Sequence, residues 1–299
     1  NSKGFEVGYG VCLRANAPSH GGSNVIKRTL VARRENRFWL DEPLEKNFWT
    51  DHQAQIATLF PILTGEHIHN LEIRDLVLDG NRSQNQHLDG NYAGCIFLQN
   101  CQGIHIENVE TRNYNGDGIS WQICHDVTVI NCLSVNNADL GLHPGSGSLR
   151  PIIRQNHLEG NRIGLFFCWG VKHGIAENNR ICNNRQYGIS IGHRDTDNII
   201  RKNRIEKSGE VGVIFRNEPN EGRCPHHNLL EDNQIINSGA IGIDIQGETR
   251  SVTLRRNQII ETRKPASHIG LQIGQKVTEL TLEKNNFSGL EIETNDLRS

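Results

Sequence analysis

No stretch of this chain approaches 18 consecutive apolar residues, and Asn1 to Gly10 has neither a basic nor an apolar character. The first absence excludes a membrane-spanning helix and the second a visible export signal, so the chain reads as soluble. Methionine is missing altogether, the initiator included. We therefore expect a trimmed or mature form, secreted or periplasmic. Net charge is also nearly absent, with 32 Lys and Arg against 34 Asp and Glu, which argues against nucleic-acid or membrane-surface partners. The eight cysteines include no Cys-x-x-Cys pair, so no cysteine-based metal motif is present, and neither a metal nor a cofactor is expected. Buried thiols are the simplest reading. Cys101 and Cys124 lie 23 residues apart in one phase of the pattern described below. Stacked about 4.8 Å apart, they would be within disulfide reach, an alternative that an exported origin would favour.

What the chain does contain is a repeat. Gly followed by an apolar residue recurs at Gly118-Ile119, Gly141-Leu142, Gly164-Leu165, Gly188-Ile189, Gly212-Val213, Gly242-Ile243 and Gly270-Leu271, in steps of 23, 23, 24, 24, 30 and 28. In parallel runs Asn-x-apolar, at Asn131, Asn156, Asn179, Asn203, Asn233 and Asn257. After each Gly the side chains alternate, as in Ile189-Ser-Ile-Gly192 and Ile243-Asp-Ile-Gln246, and period two means strand. Such short strands cannot bury an apolar face alone. The same strand one coil above and below supplies both ladder partners and stacking, so the fold class expected is all-β, a right-handed parallel β-helix. Ile119, Leu142, Leu165, Ile189, Val213, Ile243 and Leu271 would form one interior column. Trp121, Pro144, Phe167, Ile191, Phe215, Ile245 and Ile273 would form the next. The recurrent Asn would sit where each coil turns, tolerating left-handed geometry and bonding to the Asn above.

A leucine-rich repeat has a similar period, and Leu280-Thr-Leu-Glu-Lys-Asn285 would satisfy its consensus. It ranks second, because a further strand-like stretch follows the Asn in nearly every repeat. Solenoids lengthen by adding coils to one core, so 299 residues need not divide into two globules. Residues 1–66 lack clean markers and are expected to form irregular first coils that cap the core, with strands at Gly10–Leu13 and Arg37–Leu40. Residues 67–299 hold the regular coils. Overlong repeats at Asn217–His227 and Arg263–Ser267 must project as loops, and such loops often wall a groove.

Over roughly residues 67–296, these Asn- and Gly-marked coils resemble the pectate-lyase-like superfamily of right-handed β-helices. The resemblance implies a fold shared by proteins that cut, epimerise or bind polysaccharides. It implies no particular chemistry, because the repeats are structural.

Outward residues of a strand column form a ridge with one side chain per coil, well placed to meet a polymer. Here they are Ser120, His143, Phe166, Ser190, Ile214 and Asp244, then Gln122, Gly145, Cys168, Gly192, Arg216 and Gln246. The following turns add His125, Trp169, Lys172, His173, His193, Arg194, Asp195 and Glu218. A sugar ring stacks its apolar face on an aromatic side chain and needs polar partners for its hydroxyls. Trp169 and Phe166 suit the first role, Gln122 and Arg194 the second, with Lys172, His173, Asp195, Arg216 and Glu218 as further candidate contacts. Each of these residues has an ordinary reading as well, Trp169 as packing under a turn and each His as a satisfied surface residue.

The catalytic candidates are Asp117, Asp139, His143, His193 and Arg194. Hydrolysis of a glycosidic bond needs two carboxylates, about 5 Å apart for retention or about 6.5 to 9.5 Å for inversion. Asp117 and Asp139 fall on neighbouring coils, although both also suit turn formation. Asn115-Gly-Asp-Gly118 resembles the Asn-Thr-Asp-Gly element of polygalacturonases, and Asp139 falls where that family's Asp pair begins. Leu140 stands where the second Asp belongs, Arg162-Ile-Gly164 where Gly-His-Gly belongs, and Arg204-Ile-Glu206 is only superficially like Arg-Ile-Lys. Elimination from a uronate instead needs a base for the C5 proton and a cation for the carboxylate, and Lys172, His173, His193 and Arg194 offer such groups. Calcium-binding Asp clusters are not evident. Three functions follow: a polysaccharide hydrolase or lyase acting over coils two to six, a non-catalytic glycan-binding or adhesion solenoid, and a metal-handling β-helix. The last would require His143, His173 and His193 to converge from separate coils. The oligomeric state is left open.

Overall fold

The structure is a computed structural model and describes residues 4–17, 22–58, 61–85, 94–264 and 268–298. It comprises two compact units, Asn1–Ile62 and Leu63–Ser299. In the first, strands Gly10–Ala17, Gly22–Arg34, Arg37–Leu40 and Gln55–Thr58 form one antiparallel sheet. Among the described residues, Val11, Cys12, Ala15, Ala17, Ile26 and Leu30 are buried in it.

The second unit is a right-handed parallel β-helix, and the chain makes about 8 turns. Each coil contributes one strand to a ten-stranded sheet and one to each of two nine-stranded sheets. In one coil these are Asp117–Gln122, His125–Ile130 and Leu133–Val135. Every strand pairs in parallel with its counterpart in the next coil. The predicted column Ile119, Leu142, Leu165, Ile189, Val213, Ile243 and Leu271 is in register and fully buried. Val129, Ile153, Ala176, Ile200, Leu230 and Leu254 line the second sheet. Leu158, Ile181, Ile205, Ile235 and Ile259 line the third. Burying each Leu, Ile or Val contributes about 1.5–3 kcal/mol, so the columns are the main source of stability.

The corners correct one expectation. Between the second and third sheets each coil bends at a single left-handed residue, in turn Asn131, Gln155, Asn178, Lys202, Asp232 and Arg256, with φ between 51° and 57°. The repeated Asn is the residue after the bend, and its own φ is negative. Asn131 is thus out of phase with the rest of its marker, and Cys132 holds the ladder position in that coil, donating its N–H to Asn156 Oδ1. The ladder Asn are there for their amides. Asn203 Oδ1 accepts from the backbone N–H and Nδ2 of Asn179 at 3.0 and 2.9 Å, while its own Nδ2 donates to Ala176 and Asn233. Asn137, Asn161 and Asn184 form a second ladder at the next corner. Buried polar groups therefore satisfy one another along the axis. The leucine-rich-like phrase has the same explanation. It comprises strand Thr281–Glu283, the bend Lys284 and the ladder residue Asn285.

None of the eight cysteines is in a disulfide. Cys101 and Cys124 do stack in adjacent coils, where Cys124 Sγ accepts the N–H of Cys101 at 3.3 Å and burial pushes the Cys124 thiol up to about 12. Of the two overlong repeats, Asn217–His227 carries a short 3-10 turn at Glu221–Arg223 and buries Cys224 to His226. Within the other, Pro265 to Ser267 lie outside the described residues.

Asn203→Ala would strip two donors of Asn179 of their acceptor and remove the side-chain donor to the Ala176 carbonyl. We expect a loss of about 2–3 kcal/mol in folding stability, since each orphaned buried group costs roughly 1–3 kcal/mol. A urea titration reads it as a lowered midpoint.

Candidate functional site

The outer face of the ten-stranded sheet carries two linked groups of polar side chains. The first is built from adjacent coils. Asp117 opens strand Asp117–Gln122, and His143 lies on Leu140–Gly145, where the register sets it against Ser120. His143 Nδ1 lies 2.7 Å from Asp117 Oδ2 and 3.3 Å from Ser120 Oγ, while Asp117 Oδ1 accepts the N–H of Leu140 at 3.1 Å. Both members of the pair are about nineteen-twentieths buried, and Nε2 of His143 has no partner among the described residues. Burial raises the Asp117 carboxyl, His143 opposes that rise, and the nearby Asp139 charge adds to it.

The second group lies two coils on. Arg216 Nη1 donates to Ser190 Oγ at 2.8 Å and Nη2 to the Phe167 carbonyl at 3.1 Å. The same guanidinium lies 3.6 Å from Asp195 and 3.5 Å from Glu218. Glu218 accepts the backbone N–H of His193 at 2.8 Å and reaches its Nδ1 at 3.3 Å. Trp169 stacks on His193, with centroids 4.7 Å apart and planes 17° from parallel, and keeps 56% of its surface exposed. Phe166 joins the two groups. Its ring meets His143 edge-on at 5.4 Å and lies under Arg216 at 4.5 Å.

Two glycines make room for this layer. A Cβ at Gly145 would fall 2.5 Å from Oε1 of Gln122, and one at Gly192 would fall 2.4 Å from the Arg216 guanidinium. Gln122 and Arg216 can therefore lie flat over the sheet, Gln122 toward Ser120 and Arg216 toward Ser190. Alternation along the strand placed these residues outward. It could not show that they cover one another.

Several candidates take other positions. Asp139 is held by Arg162, whose guanidinium also donates to Gln186. Asp195 is fully buried and accepts the N–H groups of Gly170, Val171 and Gly192, each at 2.9 Å, so it staples two turns together. Lys172 belongs to the bridge column Leu149, Lys172, Thr196 beyond the turn, and His173 is the exposed left-handed residue after it. Neither makes a side-chain bond to the His143 or Arg216 groups among the described residues. Arg194 is exposed, and its guanidinium makes no hydrogen bond or ion pair there; its backbone N–H donates to the Arg223 carbonyl at 2.7 Å, tying the Asn217–His227 loop to this turn. Trp169, His193 and Arg194 all have positive φ, of 67°, 20° and 66°. Backbone strain of this kind persists only where surrounding contacts enforce it.

Residues 76–221 match the family described as "Right handed beta helix region". No curated protein matches the chain by sequence. Among solved structures, PfbA, a surface adhesin of Streptococcus pneumoniae, superposes with a TM-score of 0.60 at 12% identity, over 76% of this chain and 71% of that one. An alginate lyase from Paenibacillus sp. str. FPU-7 gives 0.57 at 13% identity, over 71% and 78%. The enzymatically active domain of tailspike protein 2 from bacteriophage CBA120 gives 0.53 at 9% identity, over 78% and 43%. At these identities the likeness is one of fold.

Burial pushes the Asp195 carboxyl up to about 7, against the pull of Arg216 and three backbone N–H groups. A carboxyl raised above its unfolded value of about 3.9 contributes stability that is present below that value and lost as pH rises through about 7. Arg216→Ala removes the cation paired with Asp195, so the loss in stability relative to the parent should be larger at pH 8 than at pH 5. Thermal unfolding of both proteins at the two pH values checks this.

Proposed function

We propose that this protein is a polysaccharide-active enzyme that binds its polymer along the outer face of the ten-stranded sheet and transfers a proton through His143. The observation that carries this is the buried Asp117–His143 pair with Nε2 uncommitted. An ionised carboxylate only accepts, so Asp117 fixes the proton on Nδ1 and leaves a lone pair on Nε2. That is the form a general base needs. Gln122 is tethered to Ser120 by one 3.3 Å bond, and its rotation would open the approach to the imidazole.

Elimination from a uronate suits these residues better than hydrolysis. The base takes the C5 proton while a cation offsets the charge that develops on the carboxylate. Arg194 is the uncommitted guanidinium of the cluster, whereas Arg216 is shared among Ser190, Asp195 and Glu218. Hydrolysis would need two carboxylates facing the scissile bond, but Asp117 is spent on His143 and Asp139 on Arg162. Successive coils are about 4.8 Å apart, so a chain running along the axis would meet Trp169 beside the coil that carries His143. A secreted or periplasmic location goes with a polymeric substrate, and among the described residues no helix is long and apolar enough to cross a membrane.

A second reading, a non-catalytic glycan-binding solenoid, is favoured by one feature. Trp169 offers more than half its surface to a sugar face while His193 supports it from behind. The two readings separate in an assay on a panel of neutral and uronate polysaccharides. Unsaturated product from a uronate polymer is expected. His143→Gln and Asp117→Asn should lower kcat by at least about 10²-fold, the usual scale of a lost general base, with little change in binding. Trp169→Ala should weaken retention on the immobilised polymer. Trp169-dependent binding without turnover of any polymer would favour the second reading.

A further inference from the structure

Another set of donors lies on the third sheet. His157 and Glu159 are alternate residues of strand His157–Glu159, and since Leu158 between them points into the core, both face outward. Cys182 ends the strand Arg180–Cys182 one coil on, and the register sets it against Glu159. His157 Nε2 lies 2.6 Å from Glu159 Oε2 and 3.6 Å from Cys182 Sγ, and the three donor atoms all fall within 4.8 Å of one another.

These spacings are those of a coordination sphere. In a tetrahedral site with Zn–N of about 2.0–2.1 Å and Zn–S of about 2.3 Å, nitrogen and sulfur stand about 3.5 Å apart. The imidazole and thiol already have that separation. The carboxylate oxygen has to withdraw by under about 1 Å from the hydrogen bond it now makes with the ring. Asn183 donates to the other oxygen of Glu159 at 2.9 Å and so orients the carboxylate from behind. His157 and Glu159 are about one-third exposed, which leaves the outer side open to water.

We propose that His157, Glu159 and Cys182 bind a borderline divalent transition ion, with Zn²⁺ as the best fit and water in the fourth position. Imidazole with thiolate selects such an ion over the oxygen-seeking Ca²⁺ and Mg²⁺. Binding displaces the thiol proton, so the thiolate and carboxylate together neutralise the ion. Arg180, which pairs with His157 in register, then faces a site without net charge. Because the ligands come from two coils, the ion would clip one turn of the solenoid to the next.

The test uses the reduced, metal-free protein titrated with Co²⁺ as a spectroscopic stand-in, followed by Zn²⁺. One Co²⁺ per chain should bind with a thiolate-to-metal charge-transfer band, Zn²⁺ should bleach that band, and Zn²⁺ should raise the unfolding midpoint. Cys182→Ser should abolish the band. Glu159→Gln, at a partly exposed site that can accept it, should keep the band and weaken binding by at least tenfold. No band in the parent protein, or a band of undiminished strength in Cys182→Ser, would overturn the assignment. Activity on a polysaccharide does not enter these readouts, so they stand apart from the function proposed above.

Discussion

Everything in the second unit depends on one coil landing on the last at the hydrogen-bonding separation of about 4.8 Å. That spacing lets a residue sit directly on its counterpart some two dozen positions earlier. Three consequences follow from it. Aliphatic side chains become continuous interior columns, buried Asn amides satisfy each other along the axis, and outward side chains become ridges. A single coil has none of these properties, because its backbone and its Asn side chains would be left without partners.

The candidate site is an outward ridge modified by local exceptions. Gly145 and Gly192 leave gaps in one column, and into these gaps Gln122 and Arg216 fold. Phe166 bridges the two halves, touching His143 with its edge and Arg216 with its face. The layer is more enclosed than a ridge should be: Ser120, His143, Ser190 and Ile214 all point outward yet are nearly inaccessible. Enclosure is what separates the Asp117–His143 pair from the many exposed ion pairs on the other two sheets. Those contribute little because water screens them. A carboxylate held against an imidazole out of water governs the tautomer and orientation of the ring.

Much of this was legible in the chain. The Gly-apolar marker fixed the register of the first interior column because buried Ile, Leu and Val alternate with outward residues at period two. The Asn marker found the corners, but not which residue of each corner takes the left-handed bend. Asn, Lys, Asp, Gln and Arg all occupy bends here, so residue type alone could not identify them. Asn131 misled for that reason. The donors His157, Glu159 and Cys182 gave no sequence signal at all, since metal motifs are sought at short spacings and this set closes across a 23-residue step.

By itself, then, the chain determined the solenoid, its period and the identity of the outward columns, because these rest on a local alternation repeated many times. Only the folded structure decided which outward residues engage one another. Asp139 goes to Arg162, Asp195 turns inward to three backbone N–H groups, and Asp117 reaches the next coil to hold His143. The reason is geometric. Side-chain partnership across coils depends on rotamers and on the space a neighbouring glycine leaves, and neither is encoded in the spacing of the repeat.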